Sequence, residues 1–327
     1  MSTLNEKLSY YFDYDHYLNE LSSVASSARD SFISIKPMFD LRPNENTNET
    51  MMHYTHIFGF EKLFAQRDYA DSWRNWMERN WKLSVNISIG YILFVVAGTY
   101  LMRNRQKFEL RLPLVLWNIF LAVFSILGSI RVLPDFIYSI TTKGVVYSVC
   151  DNQYAYGITG FWSLMFVLSK LPELIDTVFI VLRKQELIFL HWYHHTTVLI
   201  YCWFSYKDYA STGRWFMTMN YLVHSLMYSY YALRALRFRI PRFVSQIITT
   251  GQILQMIAGC YVNYVAYKAK VANQTCNTSD ENIKYSSLMY FSYFVLFFDF
   301  FIKAYIYKTK ASLNRNTKNP NESKKIN

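Results

Sequence analysis

Three histidines fall within five residues of one apolar stretch, LIFLHWYHHTTVLIYCWFSY, which carries no formally charged residue. They are His191, His194 and His195, and their spacing places all three on one face of a helix. Burial disfavours the charged form of an imidazole, and a neutral imidazole can attack an acyl group or accept a proton. Histidine is also a common metal ligand. The cluster therefore predicts nucleophilic or acid–base chemistry, or a metal centre, in apolar surroundings.

Polar side chains also recur at helical spacing in three neighbouring apolar stretches. These are Lys170, Glu173 and Asp176 in the first stretch, Asn220, His224, Tyr228 and Tyr231 in the second, and Thr249, Gln252 and Gln255 in the third. A charge at the centre of a membrane costs roughly 3 kcal/mol on insertion scales, so charged members must be paired or must face water. Lys170 and Glu173 can form an ion pair at i,i+3. The pair would either hold helices together or take a direct part in catalysis. Four polar stripes cannot face lipid, and we expect them to enclose a polar interior.

A di-iron centre is the main alternative, because H-x-x-H-H is also typical of membrane desaturases and hydroxylases. Such a centre needs about eight imidazole ligands, and the number of ligands decides what a site can hold. The apolar stretches contain only four histidines, and there is no second histidine box. We therefore expect no bound metal. Cys202 follows His195 at a distance of roughly two helical turns, which is a poor position for a cysteine nucleophile.

The elements that must position these side chains are seven apolar segments long enough to cross a membrane. A helix of about 20 residues rises ~30 Å, which matches the hydrocarbon core of a bilayer. The segments are approximately 83–102, 112–130, 161–182, 187–206, 215–233, 243–267 and 285–307. The residues before them lack a basic segment followed by an apolar core, so the first span is expected to target the chain. The sequence predicts an all-α integral membrane protein with seven transmembrane helices.

The distribution of charge predicts how these spans are oriented. Although the net charge is +11, the basic residues are concentrated after the odd-numbered spans, and the positive-inside rule assigns those gaps to the cytosol. The N-terminus is then lumenal, the C-terminus is cytosolic, and the charge does not indicate nucleic-acid binding. The glycosylation sequons at Asn48, Asn273 and Asn277 fall on the lumenal side. Cys150 and Cys276 lie in two lumenal gaps, where oxidising conditions allow a disulfide.

Four motifs resemble those of one known family. They are LIFLHWYHH, K-x-x-E-x-x-D-T at 170–177, N-x-x-x-H-x-x-M-Y-x-Y-Y at 220–231 and T-x-x-Q-x-x-Q at 249–255. In this order they resemble the very-long-chain fatty acid elongases, which are membrane 3-oxoacyl-CoA synthases, from about Phe60 to Lys310. The stretches FELRLPLVLW, QELIFLHWYHH and WFMTMNY look most like the animal branch that elongates saturated and monounsaturated chains of twelve to sixteen carbons. Glu186 departs from the lysine expected at its position.

The resemblance implies that six of the seven helices form an inverted barrel around an acyl-CoA tunnel. It also implies that the chain condenses malonyl-CoA with a long-chain acyl-CoA, without a bound cofactor, to give 3-oxoacyl-CoA and carbon dioxide. His194 would be the nucleophile of a ping-pong reaction through an acyl-imidazole, or a general base in a direct condensation. His191 and His195 would orient it or shuttle protons, and His224 would stabilise the enolate. Asn220 and Gln252 would fix imidazole tautomers, and the further supporting polar residues are Lys170, Glu173, Asp176, Tyr228 and Gln255.

Coenzyme A would approach from the cytosolic side. Candidates for binding its phosphates are Arg183, Lys184, Arg234, Arg237 and Lys310, although the positive-inside rule alone also explains such residues. The last four residues, KKIN, resemble a di-lysine retrieval signal of the endoplasmic reticulum. The expected organisation is a polar lumenal tail over 1–59, an elongase membrane domain over 60–310 and a basic cytosolic tail over 311–327.

The resemblance also implies partners. Besides the two CoA substrates and membrane lipid, these are the ketoacyl reductase, the dehydratase and the enoyl reductase of the elongation cycle, and a homodimer is left open. A seven-helix receptor or transporter would share the layout of the spans. Such a protein would not need a box of three histidines facing polar stripes on other helices.

Overall fold

The computed structural model describes residues 39–43 and 50–307, and the chain divides into two compact units, Met1–Ile57 and Phe58–Asn327. In the first unit, strand β1 (Phe39–Pro43) pairs with strand β2 (Thr50–Tyr54) in an antiparallel sheet. The sequence predicts only a polar tail over this region, and the two strands are a correction to the all-α expectation. The predicted features at Asn48, Lys310 and the terminal KKIN lie outside the described residues.

The described part of the second unit is helical. Its α-helices are α1 (Arg67–Asn80), α2 (Leu83–Met102), α3 (Arg111–Lys143), α4 (Val145–Cys150), α5 (Gly157–Ser169), α6 (Ile175–Leu182), α7 (Phe189–Tyr206), α8 (Gly213–Ala235), α9 (Arg242–Val271) and α10 (Asp280–Phe301). Shorter helical turns of the 3-10 type lie at Lys62–Ala65, Gln153–Ala155 and Pro172–Leu174, and a π-helix at Ile302–Tyr307 extends α10.

The surface of the helical unit is apolar and its interior contains many polar groups. Leu93, Leu112 and Leu288 are 62%, 68% and 67% exposed, whereas Lys170 and Glu173 are 2% and 3% exposed. This distribution suits a lipid solvent, because lipid accepts apolar side chains and excludes unpaired polar ones. Within residues 39–43 and 50–307, three helical segments are able to cross a membrane by length and composition, namely Leu83–Met102, Arg111–Lys143 and Asp280–Tyr307. The chain is therefore a membrane protein.

The second predicted span, 112–130, is only the first part of a longer helix. α3 continues well past it, because the charged residues that follow residue 130, which are expected in a loop, are neutralised inside the protein. Arg131 Nε donates to Glu61 Oε1 at 2.8 Å, and Asp135 Oδ2 accepts from Arg214 Nε at 2.9 Å. These partners are distant in sequence, so the charges appear unfavourable in a helix until the fold is known.

The third predicted span, 161–182, is not a continuous helix. α5 ends at Ser169, the chain passes through the 3-10 turn Pro172–Leu174, and α6 follows. Proline lacks a backbone N–H and its ring collides with the carbonyl four residues earlier, which interrupts an α-helix. The interruption turns Lys170 and Glu173 into the interior instead of continuing them along a regular helical stripe.

Six helices pack against one another in a cyclic order around the polar interior. α3 packs against α8, α8 against α9, α9 against α10, α10 against α7, α7 against α5, and α5 against α3. α2 packs against α6 and α7. The α3–α8 approach is close where Gly128 faces the ring of Tyr221, because a Cβ atom at Gly128 would collide with that ring. Small residues allow such close approaches between membrane helices.

One end of the helical unit, here called the disulfide end, is held by covalent and ionic links. Cys150 and Cys276 form the disulfide that the sequence predicts, joining the end of α4 to the segment between α9 and α10. Arg214, at the start of α8, binds Asp135 of α3 at 2.9 Å and Asp151 at 3.2 Å. At this end the links connect α3, α4, α8 and the segment between α9 and α10.

The opposite end, here called the basic end, is held by hydrogen bonds to backbone carbonyls. Lys184 Nζ donates to the carbonyl oxygens of Arg103 and Arg105 at 3.0 and 3.1 Å, which ties the end of α6 to the end of α2. Arg111 Nε donates to the carbonyl of Ala235 at 2.9 Å and ties the start of α3 to the end of α8.

Candidate active site

The histidine box occupies the first two turns of α7. The ring centroids of His191 and His195 are 4.4 Å apart, and those of His194 and His195 are 5.5 Å apart. The ring of His194 also packs on Tyr293 of α10, with 4.9 Å between centroids. His195 Nδ1 is buried and has no hydrogen-bond partner in the described part of the chain. The three imidazoles therefore form one compact group, as their spacing predicts.

Asn220 and His224 of α8 line the same cavity as this group. Asn220 Nδ2 lies 3.1 Å from His224 Nε2, and Asn220 Oδ1 lies 3.0 Å from Lys170 Nζ. An ammonium group only donates hydrogen bonds, so the amide oxygen faces Lys170 and the amide N–H faces the imidazole. His224 Nε2 is then the acceptor, and the ring proton is on Nδ1, which lies 4.0 Å from Glu173 Oε1.

A buried ion pair fixes the orientation of that amide. Lys170 Nζ and Glu173 Oε1 are 2.6 Å apart, and their side chains are 1% and 4% exposed. Ser169 Oγ donates to the same carboxylate oxygen at 3.0 Å. The pair lies behind Asn220 and does not line the cavity. These contacts give the pair a supporting role. Glu173 orients the ammonium group of Lys170, and Lys170 orients the amide of Asn220.

Asp176 serves as a common acceptor for two other helices. Trp117 Nε1 of α3 donates to Oδ1 at 2.6 Å, and Tyr228 Oη of α8 donates to Oδ2 at 2.7 Å. The ring of Tyr228 packs edge-on against His224, with centroids 5.3 Å apart. Asp176 therefore connects α3, α6 and α8 beside the imidazole of His224.

Two cavities meet at the histidine box. The wide cavity, of about 410 Å³, lies towards the basic end, and the narrow cavity, of about 50 Å³, lies towards the disulfide end. His194, Asn220, Gln255 and Met256 line both cavities. Of the predicted site residues, those that line the wide cavity are Asp176, His191, His194, His195, Asn220, His224, Tyr228, Gln252 and Gln255.

Some predicted residues have other contacts than expected. Gln252 lines the wide cavity, but its amide nitrogen lies 3.4 Å from Met227 Sδ and does not hydrogen-bond to an imidazole. Of the candidate phosphate-binding cations, Lys184 is occupied by two backbone carbonyls, and Arg234 and Arg237 are exposed. Neither these three nor Arg183 lines the wide or the narrow cavity.

Three contributing residues lie outside the four motifs, although one of them, Trp117, ends the stretch FELRLPLVLW. Trp117 donates to Asp176, Tyr293 packs on His194, and Tyr91 reaches the box through a hydroxyl of α6. Tyr91 belongs to a set of α2 residues that are buried at helical spacing, namely Ser84, Ser88, Tyr91 and Val95. Three of these four side chains carry a hydroxyl group within an apolar span, and that pattern is the signal in the sequence that points to Tyr91.

The donor groups of the site do not favour the di-iron alternative. Within the described ranges there is no group of three His, Cys, Asp or Glu side chains placed to hold a metal ion. Both oxygens of Asp176 accept hydrogen bonds from Trp117 and Tyr228, and Glu173 is paired with Lys170. The carboxylates are thus engaged by protein groups, and the imidazoles are arranged among amides and aromatic rings.

Comparison with known proteins identifies the family. Residues 76–313 match the model of the ELO: GNS1/SUR4 family, so this chain belongs to that family. The chain is 53% identical to very long chain fatty acid elongase 6 of Gallus gallus over 253 residues, which are 77% of this chain and 94% of that protein. It is 52% identical to the Homo sapiens protein of the same name over 256 residues, 78% of this chain and 95% of that protein. The Drosophila melanogaster protein of that name is 51% identical over 258 residues, 78% of this chain and 80% of that protein. The resemblance to the animal elongases is confirmed.

Proposed function

We propose that this protein is the condensing enzyme of microsomal fatty acid elongation. It joins malonyl-CoA to a long-chain acyl-CoA, with loss of carbon dioxide, to give 3-oxoacyl-CoA. The observation that carries the proposal is the meeting of a wide and a narrow cavity at His194, beside three further imidazoles. A thioester needs polar groups at its carbonyl and an apolar channel for its chain, and both kinds of space open onto this one side chain.

The acyl chain would occupy the narrow cavity. From His194 to Ser205, both of which line it, α7 rises ~16 Å. An extended acyl chain advances ~1.25 Å per carbon in staggered geometry, so this length suits about thirteen carbons. The free volume of about 50 Å³ means that the chain must displace the side chains around it. Met217, Met256 and Met289 are among them, and methionine repacks easily.

The first half-reaction would transfer the acyl group to His194. An imidazole nitrogen attacks the thioester carbonyl, the carbon–sulfur bond breaks, and an acyl-imidazole forms. The proton lost from the ring passes to the sulfur, and CoA leaves as the thiol. Covalent catalysis of this kind divides one difficult step into two easier ones. The ring of His195 adjoins that of His194, and the ring of His191 adjoins that of His195. These two imidazoles would orient His194 or carry the proton.

The second half-reaction would form the new carbon–carbon bond. Malonyl-CoA enters the wide cavity, its carbon–carboxylate bond breaks, and carbon dioxide leaves behind an enolate. The enolate carbon attacks the acyl carbon, the bond to His194 breaks, the freed imidazole nitrogen takes up a proton, and 3-oxoacyl-CoA is released. His224, which lines the wide cavity and whose Nε2 contacts Asn220, would stabilise the enolate oxygen.

The test is turnover by purified protein given malonyl-CoA and a series of acyl-CoAs of increasing length. We expect 3-oxoacyl-CoA, and a protein mass increase of one acyl group when malonyl-CoA is withheld. His194→Ala should abolish both, and Cys202→Ala should retain both. Product without any protein adduct in a single turnover would favour direct condensation, with His194 as a general base. Absence of product with every acyl-CoA would overturn the proposal.

The proposed setting is the endoplasmic reticulum membrane, with seven transmembrane helices, six of them in a barrel. The contacts from α3 through α8, α9, α10, α7 and α5 back to α3 support the barrel. The disulfide between Cys150 and Cys276, and the exposed sequon residues Asn273 and Asn277 near it, support a lumenal disulfide end. The basic end would then face the cytosol, where Arg183, Lys184, Arg234 and Arg237 remain candidates for holding CoA phosphates at the rim.

The reaction determines the partners that we propose. A 3-oxoacyl-CoA must be reduced, dehydrated and reduced again before a further cycle, so the partners are a ketoacyl reductase, a dehydratase and an enoyl reductase. No resident cofactor is required by the condensation itself. A homodimer is compatible with the proposal, and crosslinking in native membranes would test it.

A further inference from the structure

Two consecutive hydrogen bonds connect α2 to the histidine box. Tyr91 Oη lies 2.6 Å from Thr177 Oγ1, and Thr177 Oγ1 lies 3.0 Å from His191 Nε2. Tyr91 is 6% exposed and Thr177 is fully buried. Because α2 packs against α6 and α7, it brings a hydroxyl group to an imidazole that lies far from it in sequence.

The positions of the protons favour one direction of donation along these two hydrogen bonds. In that direction Tyr91 donates to Thr177, Thr177 donates to His191 Nε2, and the ring proton is on Nδ1. In the reverse direction His191 donates to Thr177, Thr177 donates to Tyr91, and the phenolic O–H has no acceptor among the described residues. A buried donor without an acceptor costs roughly 1–3 kcal/mol. A phenol is also more acidic than an aliphatic alcohol, which makes Tyr91 the better donor.

We propose that Tyr91 and Thr177 hold His191 as the neutral Nδ1–H tautomer, so that His191 is a hydrogen-bond donor to the substrate and not a base. His191 lines the wide cavity and Thr177 does not, so the nitrogen that is not bonded to Thr177 is the one available to a ligand. Tyr91 is then a positioning residue, acting on the reaction only through Thr177 and His191.

The ligand of this N–H is the carbonyl oxygen of the acyl thioester, an assignment that rests on the proposed function. When His194 attacks the carbonyl carbon, negative charge develops on that oxygen. His191 precedes His194 by one helical turn, so its ring lies on the same face of α7. A fixed donor aimed at a developing oxyanion lowers the barrier, because it needs no reorganisation during the reaction.

The tautomer itself can be measured without any turnover. Protein labelled with ¹⁵N-histidine is studied by NMR in nanodiscs, and the His191 signals are assigned by their loss in His191→Asn. We expect a protonated Nδ1 and an unprotonated Nε2 in the wild type. Tyr91→Phe should give a mixture of tautomers, whereas Tyr100→Phe, which alters a 74% exposed tyrosine of the same helix, should not. A protonated Nε2 in the wild type would overturn the proposal.

A double-mutant cycle tests whether Tyr91 acts through Thr177. Tyr91→Phe should slow condensation about tenfold, less than the 10²–10³-fold effect of removing an oxyanion donor outright. Thr177→Val should slow it at least as much, and Thr177→Ser should restore the rate. Adding Tyr91→Phe to Thr177→Val should cause no further loss, because the connection is already broken. Fully additive losses would show that Tyr91 contributes only packing, and would refute the relay.

Two substitutions of His191 distinguish the donor atoms. The amide nitrogen of asparagine can take the place of Nδ1, and that of glutamine the place of Nε2. We expect His191→Asn to retain more of the condensation rate than His191→Gln, with little change in KM. The opposite order would show that Nε2 is the reacting nitrogen. If the wild type condensed no acyl-CoA, the proposed function would fail, whereas the NMR measurement would still decide the tautomer.

Discussion

Glu173→Gln should destabilise the protein by roughly 3–5 kcal/mol, the cost of removing one partner from a buried ion pair. The substitution keeps the size and the acceptor oxygen of the side chain and removes only its charge. Lys170, whose side chain is 1% exposed, would keep an ammonium group inside the protein without its counter-charge. Its other close acceptor is the neutral amide oxygen of Asn220 at 3.0 Å, which cannot replace a carboxylate.

The matched control is the exposed pair of Lys303 and Asp299, which has a similar separation of 2.8 Å. Its side chains are 69% and 53% exposed, and an exposed pair contributes about 0–1 kcal/mol. Unfolding of both variants is followed by tryptophan fluorescence in the same detergent. Glu173→Gln should unfold at a clearly lower temperature than Asp299→Asn. Equal unfolding temperatures would refute the reasoning from burial.

A variant without the buried ion pair should regain stability but not activity. Lys170→Met combined with Glu173→Leu removes both charges and should recover most of the stability, because apolar replacement of a buried pair is often neutral or favourable. It should not recover condensation, because Asn220 loses the donor that orients its amide towards His224. Full activity in this double variant would show that the pair has only a structural role.

The other predictions concern the packing of the helices. Cys150→Ser should destabilise the protein by at most about 4–5 kcal/mol, because the bond to Cys276 closes a loop of 126 residues, and reduction of the wild type should lower its unfolding temperature similarly. An unchanged temperature after reduction would contradict this. Gly128→Ala should cost about 1–3 kcal/mol, because its Cβ would collide with the buried ring of Tyr221. Gly90→Ala, which meets no atom within 4 Å, should show no such loss in the same thermal assay, and equal losses would refute the steric argument.

The helices were largely predictable because their signals are local. A run of apolar residues of membrane length, and polar residues recurring every three or four positions, are properties of a single segment. The stripes on α7, α8 and α9 were found in this way, and His191, His194, His195 and His224 do line one cavity. The disulfide was predictable for a related reason, because it depended on which gaps share one side of the membrane.

The predicted end of a helix is wrong where a charged residue is neutralised by a partner that is distant in sequence. α3 passes through Arg131 because Glu61, 70 positions away, neutralises it. The predicted span 161–182 is wrong as one continuous helix, because Pro172 at the start of the 3-10 turn cannot continue the α-helical hydrogen bonds between α5 and α6. Hydropathy treats each charge as if it faced lipid, whereas the fold supplies its counter-charge.

What the sequence alone determined about this protein is which side chains could do chemistry and which face of each helix would carry them, since helical periodicity assigns a face without reference to any other segment. The tertiary structure decided which groups act on which. Trp117 and Asp176 are 59 positions apart, and Tyr91 and Thr177 are 86 apart, yet each pair is joined by a hydrogen bond of 2.6 Å. Hydrogen bonds depend on distances and angles of this order, which only the packing of helices against one another sets. The orientation of the amide at Asn220 and the proton position on His191 follow from those contacts.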